Sequence, residues 1–218
     1  MPHYYRRMTT IGILGGTGAH GRGLARRFAQ AGREVVIGSR KAERAQAVAA
    51  SYEGVRGGSN AEAAAAELVV VTVPYEGHAE LLRSLAPELA GKIVVDCVNP
   101  LGFDANGPFP LRVAAGSAAE EAQQVLPAST VIGAFHHLSA VRLDDPEVHR
   151  VDDDVLVLGE DRAAVRTVCE LADAIPGARG VYAGRLRNAG QVEALAANLI
   201  AINRRYQVHA GIKITDLQ

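Results

Sequence analysis

The sequence predicts an α/β protein built on a doubly wound parallel sheet, with a small α+β unit at its C-terminal end. Three observations lead to this prediction. Short apolar runs, of which 68–73 is the most strand-like, alternate along the chain with Ala-rich segments of helical periodicity. The runs are continuously β-branched rather than alternating, as in strands that helices cover on both faces. A glycine-rich turn joins the first run to the first helix, and the next strand completes a βαβ unit of roughly 30 residues.

The first half of the chain supplies most of the sheet. Strands are predicted where β-branched runs stop at Gly, Pro or Asn, at 10–14, 34–37, 68–73 and 93–96. Helices are predicted where apolar residues recur every three or four positions, at 21–32, 41–51 and 76–89. Asn60 is predicted to cap a further short Ala-rich helix before the third of these strands.

The second half begins with a segment that we expect to be irregular. Residues 101–112 are rich in Gly and Pro and follow the carboxyl end of a predicted strand, where ligands bind in open α/β sheets. Further strands are predicted at 130–134, 154–158 and 179–182. Further helices are predicted at 161–174 and at 188–208.

Composition excludes several classes of protein. Hydrophobic residues make up 48% of the 218 residues, so the chain can form a substantial core. The 23 Lys and Arg nearly balance the 24 Asp and Glu, so no overall field attracts nucleic acid or an anionic membrane. Cys97 and Cys169 lack the spacing of metal ligands and are expected to stay reduced. Because we identify neither a signal peptide nor a membrane span, we expect a cytoplasmic protein without a bound metal.

The turn after the first strand carries the strongest functional signal. Its sequence fits G-x-G-x-x-G between a predicted strand and a predicted helix. There the glycines let the chain turn, approach a pyrophosphate and pack the helix on the strand, while the helix N-terminus offers free N–H groups. We therefore predict a Rossmann-type dinucleotide domain at 9–140 and a small C-terminal unit at 141–218. The residues of the turn that bind the dinucleotide are Gly16, Thr17, Gly18, Ala19, His20 and Gly21.

The end of the second strand indicates which dinucleotide binds. An NAD site would place Asp or Glu there to accept hydrogen bonds from the ribose 2′-hydroxyl. This chain has Ser39 and Arg40, with Arg44 one helical turn further on. Two guanidinium groups and a hydroxyl suit a 2′-phosphate, which an acid would repel. The sequence therefore predicts NADP(H).

Several segments together resemble the NADPH-dependent reductases of the deazaflavin coenzyme F420. The resemblance runs nearly end to end, and the C-terminal segment is its most distinctive part. The segments are the glycine turn at 14–23, the Ile-Gly-Ser-Arg run at 37–40, residues 72–76, the His136-x-x-x-Ala140-x-Arg142 segment and residues 191–195. This resemblance implies a cytosolic homodimer that moves a hydride between nicotinamide C4 and deazaflavin C5.

The resemblance also implies which residues hold each cofactor. It places the pyrophosphate on 17–20 and the 2′-phosphate on Ser39, Arg40 and Arg44. The nicotinamide half would lie along Tyr75, Ala79, Leu101 and Ala140. The deazaflavin would lie over the nicotinamide, near Asn99, Pro100, His136 and the C-terminal unit. His137, next to His136, departs from the family pattern, and we include it as a further candidate contact to the deazaflavin.

Hydride transfer between two bound cofactors needs little side-chain chemistry beyond holding the carbons about 3–3.5 Å apart. Accordingly, we find no nucleophile, metal or paired-carboxylate motif in the sequence. His136 is a candidate proton donor to the deazaflavin, with hydrogen bonding or packing as the alternative. Arg142, Arg185 and Arg187, with Arg204 and Arg205, could bind the anionic tail of the deazaflavin, or could be ordinary surface arginines. The remaining histidines have no partner residues in the sequence: His3, His78, His149 and His209.

Two other functions fit part of the same pattern. An NADPH-dependent flavin or ferric reductase would keep the dinucleotide site and replace the acceptor, as in membrane-bound metalloreductases that contain a similar domain. A non-catalytic NADP sensor would keep the glycine turn and need no second-cofactor cleft. Imine and 3-hydroxyacid dehydrogenases fit less well, because the C-terminal segment has no Lys before Lys213.

Overall fold

The computed structural model describes residues 10–217. Within that range the main sheet has eight strands in the order β10-β9-β8-β5-β4-β1-β2-β3. Every neighbouring pair is parallel except β8 and β9, which are antiparallel. The strands are β1 (Ile11–Leu14), β2 (Val35–Ser39), β3 (Val55–Ser59), β4 (Leu68–Val71), β5 (Ile93–Asp96), β6 (Leu101–Asp104), β7 (Gly107–Pro110), β8 (Thr130–Gly133), β9 (Asp154–Leu158) and β10 (Arg179–Gly184), of which β6 and β7 form a separate hairpin.

Helices cover both faces of the sheet, as the continuous apolar strands predict. One buried cluster holds Ile11, Ile13 and Phe28, and the other holds Leu14, Val69 and related side chains of the opposite face. The helices are α1 (Ala19–Gln30), α2 (Ala42–Ala49), α3 (Asn60–Ala64), α4 (His78–Ser84), α5 (Ala86–Leu89), α6 (Ala118–Val125), α7 (Ala140–Asp144), α8 (Arg162–Asp173) and α9 (Ala189–Tyr206). The doubly wound α/β fold is thus confirmed.

The strands of the predicted C-terminal unit join this same sheet. Leu158 at the end of β9 pairs with Gly133 of β8, and β10 pairs along β9. Buried side chains of β9 and α8 belong to the same apolar cluster as those of β1 and α1. The division at residue 140 stays a prediction.

Four expectations about local structure were wrong. The segment 101–112 is not irregular throughout, because β6 and β7 within it pair as an antiparallel hairpin. Asp104 Oδ1 accepts the Asn106 N–H at 2.7 Å and closes the turn between them. Ser59, not Asn60, caps α3, since its hydroxyl accepts the Glu62 N–H while the Glu62 carboxylate accepts the Ser59 N–H. The helix predicted at 76–89 is two helices that meet at Leu85. We also missed β3, α6 and α7.

Candidate functional site

The turn that follows β1 leaves room for a phosphate. Gly15 has φ +72°, a left-handed backbone that favours glycine. A Cβ on Gly21 would lie 2.7 Å from Gly16 Cα, so α1 packs directly on the turn. Gly18, the residue before α1, is exposed and has no side chain that could cap the helix. The first turn of α1 contains no acidic residue. The first N–H groups of α1 therefore lack a side-chain cap and can receive an anion.

The predicted 2′-phosphate residues come together at the end of β2. Ser39 is half-buried as the last residue of the strand, and its Oγ accepts the Lys41 N–H at 3.3 Å. Arg40 and Arg44 are exposed, and neither forms an ion pair with another described residue. An exposed pair of guanidinium groups beside a hydroxyl suits a phosphate at the entrance to the site.

The segment that begins with Ala140 is fixed against α1. A Cβ on Gly23 would come within 2.5 Å of Leu143 Cβ, so α7 sits directly on the first helix. Asp144 accepts from Arg22 Nε at 3.1 Å and from the Tyr52 hydroxyl at 2.7 Å. Gly23 lies two positions after the dinucleotide motif, and its packing role explains why the glycine pattern continues there.

A cavity of about 630 Å³ opens beside the glycine turn. It lies beyond the carboxyl ends of β4, β5 and β8, where open α/β sheets bind ligands. The second half of α9 and the residues that follow it close the opposite side. The lining from the sheet side is His20, Thr72, Val73, Cys97, Val98, Asn99, His136, His137, Leu138, Ser139, Ala140 and Val141, and that from the C-terminal side is Ala196, Leu199, Ile200, Asn203, Arg204, Gln207, Val208, His209 and Ala210.

A strained turn brings two histidines to this cavity. Phe135 follows β8 with φ +63°, an unusual backbone for a residue other than glycine. Its ring is fully buried and packs edge-on against Phe28 at 5.8 Å, which holds the strained conformation. His136 and His137 come next, and both are buried. Core packing on one face of the sheet thus fixes the floor of the cavity.

Three histidines on the sheet side of the cavity, His20, His136 and His137, are uncharged at neutral pH. Burial lowers the pKa of His136 to about 4, although the Asp96 carboxylate opposes the shift. Burial, with repulsion from His136, lowers the pKa of His20 to about 4. Burial and both neighbouring histidines lower the pKa of His137 to about 3. A neutral imidazole can accept or donate a hydrogen bond, which fits the hydrogen-bonding alternative for His136, and its role as a proton donor stays a prediction.

Several buried polar atoms at the cavity lack hydrogen-bond partners in the described part of the chain. They include Asn99 Oδ1, both ring nitrogens of His136 and Nδ1 of His137. The other nitrogen of His137 accepts the Leu156 N–H at 3.2 Å, and Asn99 Nδ2 donates to the His136 carbonyl at 2.7 Å. A buried polar atom without a partner is costly, so these atoms fit a ligand that presents its own donors and acceptors.

Other predicted residues lie outside the cavity lining. Tyr75, Ala79 and Leu101 are half-buried, and Pro100 is buried. Arg142 donates to the Arg150 carbonyl, and Arg185 is exposed and 3.5 Å from Glu160. The predicted residues outside the lining are Gly16, Thr17, Gly18, Ala19, Gly21, Ser39, Arg40, Arg44, Tyr75, Ala79, Pro100, Leu101, Arg142, Arg185, Arg187 and Arg205.

Sequence reasoning missed two histidines. His78 is fully buried, with Nε2 2.6 Å from Asp96 Oδ2 and Nδ1 3.5 Å from Glu121 Oε2, so the expectation that it has no partners was wrong. His209 lines the cavity although no motif surrounds it. His149 is exposed, and His3 lies outside the described residues. The spacing between His78, Asp96 and Glu121 follows no motif, because three different elements carry them.

Comparisons with known proteins agree with this geometry. A family model described as NADP oxidoreductase coenzyme F420-dependent matches residues 10–100. An F420-dependent NADP reductase of Methanothermobacter thermautotrophicus is 38% identical over 221 residues, which cover 95% of each chain. The crystal structure of a putative F420-dependent NADP reductase from Arthrobacter superposes with a TM-score of 0.82 at 29% identity, covering 95% of this chain and 99% of that one.

A metalloreductase is a more partial relative. The metalloreductase STEAP3 of Rattus norvegicus is 34% identical over 191 residues, covering 87% of this chain but 37% of that protein. Between residues 10 and 217 no helix is both long enough and apolar enough to cross a bilayer. The likeness to the archaeal reductase, in contrast, spans both chains and includes α9, which closes the cavity. The chain belongs to the family of F420-dependent NADP reductases.

Proposed function

We propose that this protein transfers a hydride between NADP(H) and the deazaflavin coenzyme F420. The observation that carries the proposal is the likeness over 95% of both chains to an F420-dependent NADP reductase, which includes the elements around the cavity. In the direction of deazaflavin reduction, NADPH gives a hydride to the ring and becomes NADP⁺, and the ring takes up a proton.

The glycine turn and the end of β2 would hold NADP(H). The uncapped N-terminus of α1 receives the pyrophosphate, and Ser39, Arg40 and Arg44 receive the 2′-phosphate. Tyr75 and Ala140 would border the nicotinamide. The absence of an acid at the end of β2 gives the preference for NADP(H) over NAD(H).

The cavity would hold the deazaflavin ring. Asn99, His136 and His137 offer buried polar atoms without partners, which suit the polar edge of the ring. Arg204 and His209, at the C-terminal side, lie where an anionic tail would leave the cavity. Because His136 and His137 are neutral, their contribution is hydrogen bonding and orientation, and solvent supplies the proton. Catalysis then rests on the alignment of the two rings.

A homodimer in the cytoplasm completes the proposal. Exposed apolar side chains gather on the hairpin and on α9, which packs against β7. An apolar surface of this kind is typical of an interface between subunits. Its members are Phe103, Phe109, Leu111, Ile202 and Tyr206. Sedimentation at micromolar concentration would show a dimer, and a monomer would contradict this part of the proposal.

A spectrophotometric assay tests the function directly. The protein is mixed with NADPH and oxidised F420, and the loss of the deazaflavin's visible absorbance is followed. NADH replaces NADPH in a parallel sample, and flavin mononucleotide replaces F420 in another. We expect rapid bleaching with NADPH and F420 only.

The same assay separates the alternatives. The partial likeness to a metalloreductase favours a flavin or ferric acceptor as the second candidate. Reduction of flavin mononucleotide or of a ferric chelate without turnover of F420 would establish that candidate. Tight NADPH binding without turnover of any acceptor would instead indicate a sensor.

A further inference from the structure

The buried ion pair behind the cavity has no place in the chemistry described so far. His78 and Asp96 are both fully buried, and Nε2 of the histidine donates to Oδ2 of the carboxylate at 2.6 Å. Burying two charges costs more than an apolar pair of equal size would. A costly pair beside an active site therefore calls for a reason other than stability.

Asp96 connects the pair to the floor of the cavity. It is the last residue of β5, and its Oδ1 accepts the Val98 N–H at 3.0 Å. Its carbonyl accepts the Ala134 N–H at 3.1 Å, which joins it to the strand end before His136. Asn99, which follows Val98 in the chain, donates from its side chain to the His136 carbonyl at 2.7 Å. The Asp96 carboxylate thus fixes the backbone at Val98, at the start of the segment on which the deazaflavin ring would rest.

His78 connects the pair to the nicotinamide side. It is the first residue of α4, and its N–H donates to the Tyr75 carbonyl at 3.0 Å. The Tyr75 ring centroid lies 6.3 Å from that of His78. Ala79, which the family resemblance assigns to the nicotinamide half, follows directly in the chain. The histidine therefore holds the wall that would face the dihydronicotinamide.

We propose that His78 and Asp96 are a positioning pair for hydride transfer, which sets the nicotinamide wall carried by α4 against the deazaflavin floor carried by β5. This inference rests on the proposed function. The pair touches neither cofactor and acts through Tyr75, Val98 and Asn99. A displacement of about 1 Å between reacting groups can lower a rate by about 100-fold, so a rigid link between the two half-sites has a direct effect on rate.

The charges around His78 support an ionised pair. Burial lowers its pKa, but the carboxylates of Asp96 and Glu121 outweigh that effect, so the pKa of His78 is raised. Glu193 from α9 also faces the pair, and burial raises its pKa to about 7. Tyr75 is a further ionisable neighbour, and burial raises its pKa as well. Cys97 and His136 face Asp96 from the cavity side, where burial raises the pKa of the Cys97 thiol and lowers that of His136. The imidazolium form of His78 is therefore favoured, and its deprotonation would remove the Nδ1 proton and the bond to Glu121.

Two substitutions of His78 separate positioning from folding. His78→Phe keeps a ring but removes both donors, whereas His78→Gln keeps an N–H group that can reach Asp96. Ser129→Ala is the matched control, because it removes a buried hydrogen bond (Ser129 Oγ to the Leu89 carbonyl, 2.8 Å) before the amino ends of β5 and β8, whereas Asp96 lies at the carboxyl end of β5. Single-turnover hydride transfer from NADPH to F420 is measured in a stopped-flow instrument, and the NADPH dissociation constant by fluorescence.

We expect His78→Phe to slow the single turnover by about 10- to 100-fold, with the dissociation constant of NADPH changed by less than about threefold. His78→Gln should recover most of the rate, and Ser129→Ala should keep it. The wild-type rate should fall as the pH rises through the raised pKa of His78, and the rate of His78→Gln should not show that fall. A His78→Phe rate within about twofold of wild type would overturn the proposal, and so would equal slowing of all three variants.

Hydrogen exchange tests the pair without any cofactor. Loss of the His78 bond should free the Asp96 carboxylate and speed amide exchange in the segment 97–99 of His78→Phe, but not of Ser129→Ala. Unchanged exchange there would contradict the proposed link. If wild-type protein fails to reduce F420 while this exchange effect is present, the proposed function is wrong and the link between α4 and β5 stands.

Discussion

The dinucleotide turn and the second-cofactor cavity lie side by side but are built in opposite ways. The turn is one contiguous segment at the start of α1, with uncapped N–H groups and two exposed arginines nearby. The cavity is assembled from five separate regions of the chain, and its sheet side offers apolar groups and neutral imidazoles. We therefore expect the turn to bind its ligand through charge and backbone donors, and the cavity to select its ligand through shape and neutral hydrogen bonds. Charge, pH and bulk should affect the two regions differently.

Removing positive charge from the turn side should have the largest effect. Each charge-assisted hydrogen bond contributes about 1.5–3 kcal/mol, so losing two lowers kcat/KM for NADPH by about 10²- to 10⁴-fold. We expect Arg40→Ala with Arg44→Ala to have this effect in steady-state kinetics, with kcat/KM for NADH and KM for F420 nearly unchanged. Arg166→Ala, an exposed arginine of α8, is the control. An equal loss of kcat/KM with NADH would show that these arginines do not bind the 2′-phosphate.

The same contrast explains what the sequence could and could not predict. The glycine turn was predictable because its strand, turn and helix are neighbours in the chain. The partners of His78 were not, since Asp96 and Glu121 come from different elements and meet only in the folded sheet. The position of His209 was not predictable from the sequence either. Gln207 ends α9 in a left-handed backbone conformation, and the chain that follows it brings His209 to the cavity.

The hairpin and β3 were missed for other physical reasons. Asn106-Gly107 is a turn signal between two short runs, but the prolines at 108 and 110 favoured an irregular segment. β3 contains Gly57 and Gly58, which weaken a strand pattern, and a Cβ on Gly57 would lie 2.3 Å from the Ala45 backbone. Packing against α2, rather than strand propensity, selects glycine there.

A change of pH should distinguish the cavity from the turn. His136 has a folded pKa of about 4 against about 6.5 when unfolded, so the unfolded state binds more protons between these values. The contribution to stability is therefore present above pH 6.5 and is lost as the pH falls toward 4. By this linkage His136 alone removes about 2 kcal/mol from the free energy of unfolding between pH 7 and pH 5.

Urea unfolding of wild type and of His136→Gln at the two pH values measures this contribution. The variant should lose about 2 kcal/mol less than wild type over the same interval. Comparing the two proteins removes the contributions that they share, including that of Glu193, which acts in the opposite direction. Equal pH dependence in the two proteins would mean that His136 is charged or exposed in the folded state.

Of the three changes, a larger side chain inside the cavity should have the smallest effect. It should raise the KM for F420 and leave NADP⁺ binding unchanged. Ile200 lines the cavity from α9, whereas Ala201, its neighbour, is exposed and outside the lining. Ile200→Trp should raise the KM for F420 about tenfold, the equivalent of about 1.4 kcal/mol, because the indole occupies space that the deazaflavin ring needs. Ala201→Trp should leave it unchanged, and neither variant should alter the dissociation constant of NADP⁺. Since the turn and the cavity share only His20, a loss of NADP⁺ affinity in Ile200→Trp would show that the two sites are not independent and that the contrast drawn between them fails.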